Sequence, residues 1–232
     1  NLLINLKKVS ARGFMFGHHD DTNYGIGWEG DEGRSDVKSV CGDYPAVISF
    51  DLGHIELGDT MSLDKVPFTK IRKEILNQYK RGGMSSLSWH LRNPLTGGDS
   101  WDVSDTTVVK SILPGGANHE KFTGWVSKVS AFINSLQTEE GVKVPVLFRP
   151  WHEHTGSWFW WGEKLCTPEE YKALWHMTVD ILRNDGVDNA LYAYSPGSEP
   201  QDTAQYLKRY PGDELIDLIG FDTYQFERDT YL

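Results

Sequence analysis

A fifteen-residue run, Phe148-Arg149-Pro150-Trp151-His152-Glu153-His154-Thr155-Gly156-Ser157-Trp158-Phe159-Trp160-Trp161-Gly162, carries one carboxylic acid, two imidazoles and four of the nine tryptophans in the chain. Glu153 stands where an apolar run gives way to a loop. The imidazoles and indoles around it would partly desolvate the carboxyl and hold its proton near neutral pH, which is what a general acid requires. A structural reading competes, in which Glu153 pairs with Arg149 and the tryptophans cap the end of a strand. Three indoles and a phenylalanine at residues 158–161 are more than one strand end is expected to bury, so the balance falls on a ligand site.

Stacked aromatics beside an acid suit a sugar, because a pyranose offers a C–H face to an indole and hydroxyls at its rim. Hydrogen-bonding groups of the right kind recur after nearly every apolar run. They are His18, His19, Asp20, Asp21 and Tyr24 after the first, and Asp51, His54 and Glu56 after the second. Trp89, His90, Arg92 and Asn93 follow the third, and Asp222 and Tyr224 the last. Any one alone is more commonly structural, and it is their recurrence that points to a site. A metal reading rests on His152-x-His154 and on His18-His19-Asp20-Asp21, but neither brings the further ligands of a metallohydrolase at convincing spacing. It also gives no reason for Trp158, Trp160 and Trp161, so no metal is expected.

The elements that must position these groups read as short buried strands at residues 13–16, 46–50, 84–89, 144–148, 190–194 and 215–221. Helical patterns lie between them. Phe122, Trp125, Val126, Val129, Phe132, Ile133 and Leu136 share one helix face, and Ile71, Ile75, Leu76 and Tyr79 mark an earlier helix. Thr167-Pro168-Glu169-Glu170 combines a capping residue, a proline at the first helical position and an acid three residues after the cap, so it opens a helix through Leu174, Trp175, Ile181 and Leu182. Alternating strands and helices give an α/β class with a parallel sheet covered on both faces. Residues 25–39 and 93–104 read as long strand-to-helix loops. No Gly-rich phosphate motif follows the first strand. A (β/α) barrel, which builds its sites just beyond its strands, is the expected architecture.

Composition narrows the partners. Over 232 residues, 23 basic against 33 acidic side chains give a net charge of −10, which argues against a nucleic-acid surface. No apolar run is long enough for a membrane span. Cys41 and Cys166 form no disulfide framework and no zinc spacing, and are expected to be simply buried or free thiols. The sequence opens at Asn1 without a recognisable signal stretch.

The run from Arg149 to Gly162 closely resembles the signature of glycoside hydrolase family 26, whose typical member is a secreted endo-β-1,4-mannanase with a (β/α)8 TIM barrel. Further matches follow in order: Gly13-Phe14-Met15-Phe16-Gly17-His18, Ser88-Trp89-His90 with Asn93-Pro94, Tyr194-Ser195-Pro196, and Gly220-Phe221-Asp222-Thr223-Tyr224. The resemblance implies a retaining glycosidase with Glu153 as acid/base. It makes His152 a neighbour that binds substrate or orients the carboxylates, His90 and Trp158 subsite residues, and Tyr224 the tyrosine that positions the nucleophile. The double displacement needs no cofactor.

The family's nucleophilic glutamate lies at the end of the seventh strand, and six strands are read here, so the nucleophile is expected beyond Leu232. Asp222, Glu227 and Asp229 do not replace it, because Asp222 belongs to the sixth-strand motif and no apolar strand leads into the others. Residues 1–232 are therefore expected to be one catalytic barrel domain lacking strands seven and eight, and inactive alone. The intact enzyme would cleave internal linkages of mannan, glucomannan or galactomannan. Alternatives are a relative acting on xylan or mixed-linkage β-glucan, or a non-catalytic glycan-binding barrel. A polymeric substrate implies an extracellular, periplasmic or cell-surface protein, and no protein partner is implied.

Overall fold

A computed structural model describes residues 2–224. Helix α1 (Leu2–Ser10) leads into strand β1 (Gly17–His19), a small antiparallel pair β2 (Tyr24–Gly25) and β3 (Trp28–Glu29), and helix α2 (Asp36–Cys41). Then come β4 (Val47–Asp51), a 3-10 turn (Ile55–Leu57), α3 (Phe68–Lys80), β5 (Met84–Ser88), α4 (Val108–Ile112), α5 (His119–Asn134) and β6 (Val146–Arg149). The described part closes with α6 (Pro168–Asn184), β7 (Ala190–Tyr194), α7 (Thr203–Leu207) and β8 (Leu218–Ile219). The order β1-β4-β5-β6-β7-β8 forms a six-stranded, wholly parallel sheet. Such a sheet, with helices between successive strands, is part of a (β/α) barrel.

The two clearest helical patterns are realised. The α5 stripe is buried from Phe122 through Ile133, with Leu136 beyond it. At the start of α6, Thr167 accepts from the Glu170 amide while the Glu170 side chain accepts from the Thr167 amide, closing a capping box behind Pro168. Between residues 25 and 39 the expected loop instead contains β3 and the start of α2, where Ser35 caps the helix by accepting from the Lys38 amide.

Three strand boundaries move, each for a visible reason. Pairing of the first strand starts at Gly17 rather than across residues 13–16, and Phe14 and Phe16 are exposed. A side chain at Gly17 would stand 3.2 Å from Val47 Cβ, so glycine is what lets the strands approach there. The fourth run pairs only from Val146, because the Val144 amide turns back to the Leu136 carbonyl and Pro145 has no N–H to give. In the last run Leu215 and Ile216 lie in a turn on Gly212, and the ladder begins with the Asp217 amide on Tyr192.

Along the sheet the side chains alternate. Ile48, Phe50, Leu87, Val146 and Phe148 enter the core shared with α5 and α6. The opposite face carries a polar row, since Asp51 is in register with Ser88 and Ser88 with Arg149. That row lies at the carboxyl ends of the strands, the end from which the long loops emerge.

Candidate active site

The loop after β6 folds inward and forms its own core. Trp151, Trp160 and Trp161 are fully buried and packed edge to face, with ring centroids 5.0 to 5.6 Å apart, and Phe159 stacks on Trp161 at 4.5 Å. Three of the four aromatics at residues 158–161 are thus buried, so the expectation that the strand end cannot bury them all is met by Trp158 alone. Only Trp158, 39% exposed, remains at the surface of the run. Four successive carbonyls of the loop each receive a donor. The Tyr171 hydroxyl bonds Trp151 (2.7 Å), Trp161 Nε1–H bonds His152 (2.9 Å), the Gly156 amide bonds Glu153 (3.1 Å) and Arg209 Nη1–H bonds His154 (2.6 Å). The Glu153 amide itself donates to the Ser195 carbonyl beyond β7 at 2.8 Å.

Held in this way, Glu153 is 6% exposed and its carboxylate accepts two hydrogen bonds. Trp158 Nε1–H donates to Oε2 at 2.8 Å, and the Tyr224 hydroxyl donates to Oε1. The Tyr224 phenol is pushed up to about 12, first by its bond to Glu153 and then by burial. Gly156 permits the Trp158 geometry, for a Cβ there would meet the indole at 2.2 Å. Glu153 does not pair with Arg149, which instead binds Asp222 (2.8 Å), whose other partner is the Ser195 hydroxyl (2.6 Å). Burial raises the Asp222 carboxyl in spite of Arg149.

Beside this lies a chain of imidazoles. Asp51 Oδ2 accepts from His90 Nδ1 at 2.7 Å, and Nε2 of His90 stands 3.0 Å from Nε2 of His152, close enough to share one proton. Burial, followed by the charges of Arg149 and His90, holds the His152 ring well below its ordinary value. Trp101, 49% exposed, stacks on His90 at 5.4 Å and 10°. Trp101 was not singled out in the sequence, although an indole in the Gly- and Asp-rich loop at residues 93–104 was the available signal.

The structure thus brings His90 against His152, and Trp158 and Tyr224 against Glu153. His154 turns away from them, buried between Tyr171 and Tyr194. Glu56 is also buried, accepting from Trp89 Nε1–H and the Arg92 amide, which fixes the loop after β5. Among the described residues, His19, Asp20 and Asp64 alone form a three-residue grouping of possible metal ligands. Cys41 and Cys166 are free thiols. Glu227 and Asp229 lie outside the described residues.

A buried carboxyl, a tyrosine hydroxyl, paired imidazoles and two exposed indoles thus gather at the carboxyl ends of parallel strands of a (β/α) barrel. The Glycosyl hydrolase family 26 profile matches residues 1–231, and the chain belongs to that family. A mannan endo-1,4-beta-mannosidase of Bifidobacterium adolescentis is 37% identical over 226 residues, covering 94% of this chain and 22% of the relative. A GH26 beta-mannanase structure from Bacteroides ovatus superposes with a TM-score of 0.97 at 64% identity, covering 98% of this chain and 66% of that one. A double mutant of the Cellulomonas fimi endo-beta-1,4-mannanase gives a TM-score of 0.88 at 35% identity, covering 96% of this chain and 51% of that one. The chain therefore spans about a fifth of the length of the Bifidobacterium relative.

Proposed function

We propose that the intact enzyme is a retaining endo-β-1,4-mannanase acting on mannan, glucomannan or galactomannan, with Glu153 as its general acid/base. The observation that carries this reading is the buried Glu153 carboxyl clasped between Trp158 and Tyr224, beside the His90–His152 pair. Glu153 gives its proton to the glycosidic oxygen as the bond to the leaving sugar breaks, and then takes one from the incoming water. His90, His152 and Trp158 line the sugar site, and Trp101 adds a second exposed aromatic face to it. The second carboxylate, a nucleophile contributed from beyond Leu232, lies at about 5–5.5 Å from Glu153, and Tyr224 positions it only by turning its hydroxyl from Glu153, to which it donates here. Asp222 is an unsuitable nucleophile because Arg149 and Ser195 occupy its carboxylate.

Residues 1–232 would be one catalytic domain, completed by two further β/α units. The exposed Phe14 and Phe16 at one end of the sheet and Ile219 and Phe221 at the other support this reading, since such apolar edges suit burial under neighbouring strands. Because polymeric mannan is met outside the cytoplasm, the enzyme works extracellularly, in the periplasm or at the cell surface.

Reducing-sugar release by the intact enzyme on mannan, xylan and mixed-linkage β-glucan tests the substrate. Preferential release from mannan is expected. Faster release from another glycan would assign that glycan instead, and binding without turnover would make the protein a glycan-binding barrel.

A further inference from the structure

Asp51 ends β4 beside the proposed sugar site. It is 2% exposed, and four donors converge on it. The Ser88 hydroxyl (2.6 Å) and His90 Nδ1 (2.7 Å) reach Oδ2, while the amides of Gly53 (2.7 Å) and His90 (3.2 Å) reach Oδ1. Burial alone would raise this carboxyl, but the bond and charge interaction with His90, then Ser88 and Gly53, outweigh it and hold it below the usual range. An ionised carboxylate can only accept, so the His90 proton that faces it sits on Nδ1.

With Nδ1–H committed, a neutral His90 turns a lone pair toward His152, and His152 must supply Nε2–H across the 3.0 Å contact. The reverse arrangement would set a His90 lone pair against the Asp51 carboxylate. Both rings are also fixed in orientation, His90 by the stacked Trp101 and both by Phe159 at 5.3 and 5.4 Å.

We propose that Asp51 is a positioning residue whose carboxylate sets the tautomers of His90 and, through it, His152. The proposal rests on reading this pocket as a sugar site. A sugar hydroxyl is both donor and acceptor, and one that parts the rings and takes the place of their 3.0 Å contact would donate to His90 Nε2 and accept from His152 Nε2–H. Without the anion the rings have no reason to keep that complementary order, as when a carboxylate behind a catalytic histidine is neutralised and the wrong tautomer results.

The test uses the intact enzyme with ¹⁵N-labelled histidine. Wild-type His90 should show a protonated Nδ1 and a bare Nε2. D51N should shift the His90 proton to Nε2 and lower kcat/KM on mannan by roughly ten- to a hundredfold. S88A, which removes one bond to Asp51 but keeps the anion, should retain the wild-type His90 pattern even if it lowers the melting temperature. An unchanged His90 pattern in D51N alongside normal mannan hydrolysis by the wild type would overturn the positioning role. Absence of both mannan hydrolysis and mannooligosaccharide binding in the wild type would instead remove the sugar-site reading. Should D51N fail to fold, the wild-type spectrum decides alone, since a single His90 proton on Nε2 contradicts the proposal.

Discussion

Trp151 and Glu153 adopt φ of +56° and +53°, a left-handed backbone uncommon for side chains of this kind. The strain is local and is held by the donors that saturate the loop carbonyls. Between these residues and just after them sit two histidines with different surroundings, which separates the H-x-H pair that the sequence offers as a unit. His154 is wholly buried in a cage of Tyr171 (4.4 Å) and Tyr194 (4.9 Å), with both ring nitrogens unpartnered. Burial, with Arg209 beside it, keeps this ring well below its ordinary value. The unfolded chain therefore takes up the proton first as pH falls below about 6.5, and native stability falls with it as pH drops from 7 to 5. His154→Phe fills the same cage without a proton site. It should be close to neutral at pH 7 and should remove that share of the acid loss, as read from urea unfolding at the two pH values. A His154→Phe protein with the wild-type pH slope would refute this account of the ring.

At the scale of elements, the loop after β6 depends on an arginine from beyond α7. Arg209 is 2% exposed, and its guanidinium donates to the carbonyls of His154 (2.6 Å), Trp161 (3.4 Å) and Cys166 (3.0 Å). It also lies 4.4 Å from the Tyr171 ring centroid. Among the described residues it forms no ion pair, so its charge is met by carbonyl dipoles and an aromatic face. Arg209→Met takes the guanidinium from the His154 and Cys166 carbonyls, while Trp161 keeps the Cys166 thiol, at an expected cost of roughly 2–4 kcal/mol. Because the loop carries Glu153, the same change should lower kcat on mannan more than it raises KM, whereas a substitution that merely loosened α6 would lower melting temperature without that split. The sequence could not have nominated Arg209, which is separated by more than forty residues from every carbonyl it binds. The α6 capping box and the α5 stripe were legible because both are local patterns of residue type and spacing.

For the molecule as a whole, the barrel class could be read from the alternation of buried runs and helical faces: five of the six expected strands overlap strands of one parallel sheet, and the first pairs just beyond its expected end. Their ends were less legible wherever a backbone bond outside the sheet competes, as at Val144 and Leu215. The candidate site was legible as a set of strand-end residues, and the structure does gather Glu153, Trp158 and Tyr224, with His90 against His152. How much of the aromatic run is buried was not legible, because loops are ordinarily superficial and side-chain periodicity carries no sign that Trp151, Trp160 and Trp161 would pack on one another. The account therefore rests on one carboxyl rather than on a surface of indoles, and substitution of that carboxyl in the intact enzyme tests it most directly. Glu153→Gln should slow hydrolysis of mannan by about 10²–10⁴-fold. With a 2,4-dinitrophenyl β-mannoside, whose leaving group needs no proton, the initial burst of dinitrophenolate should persist. Equal loss of the burst and of mannan hydrolysis would contradict the assignment of Glu153 as the acid.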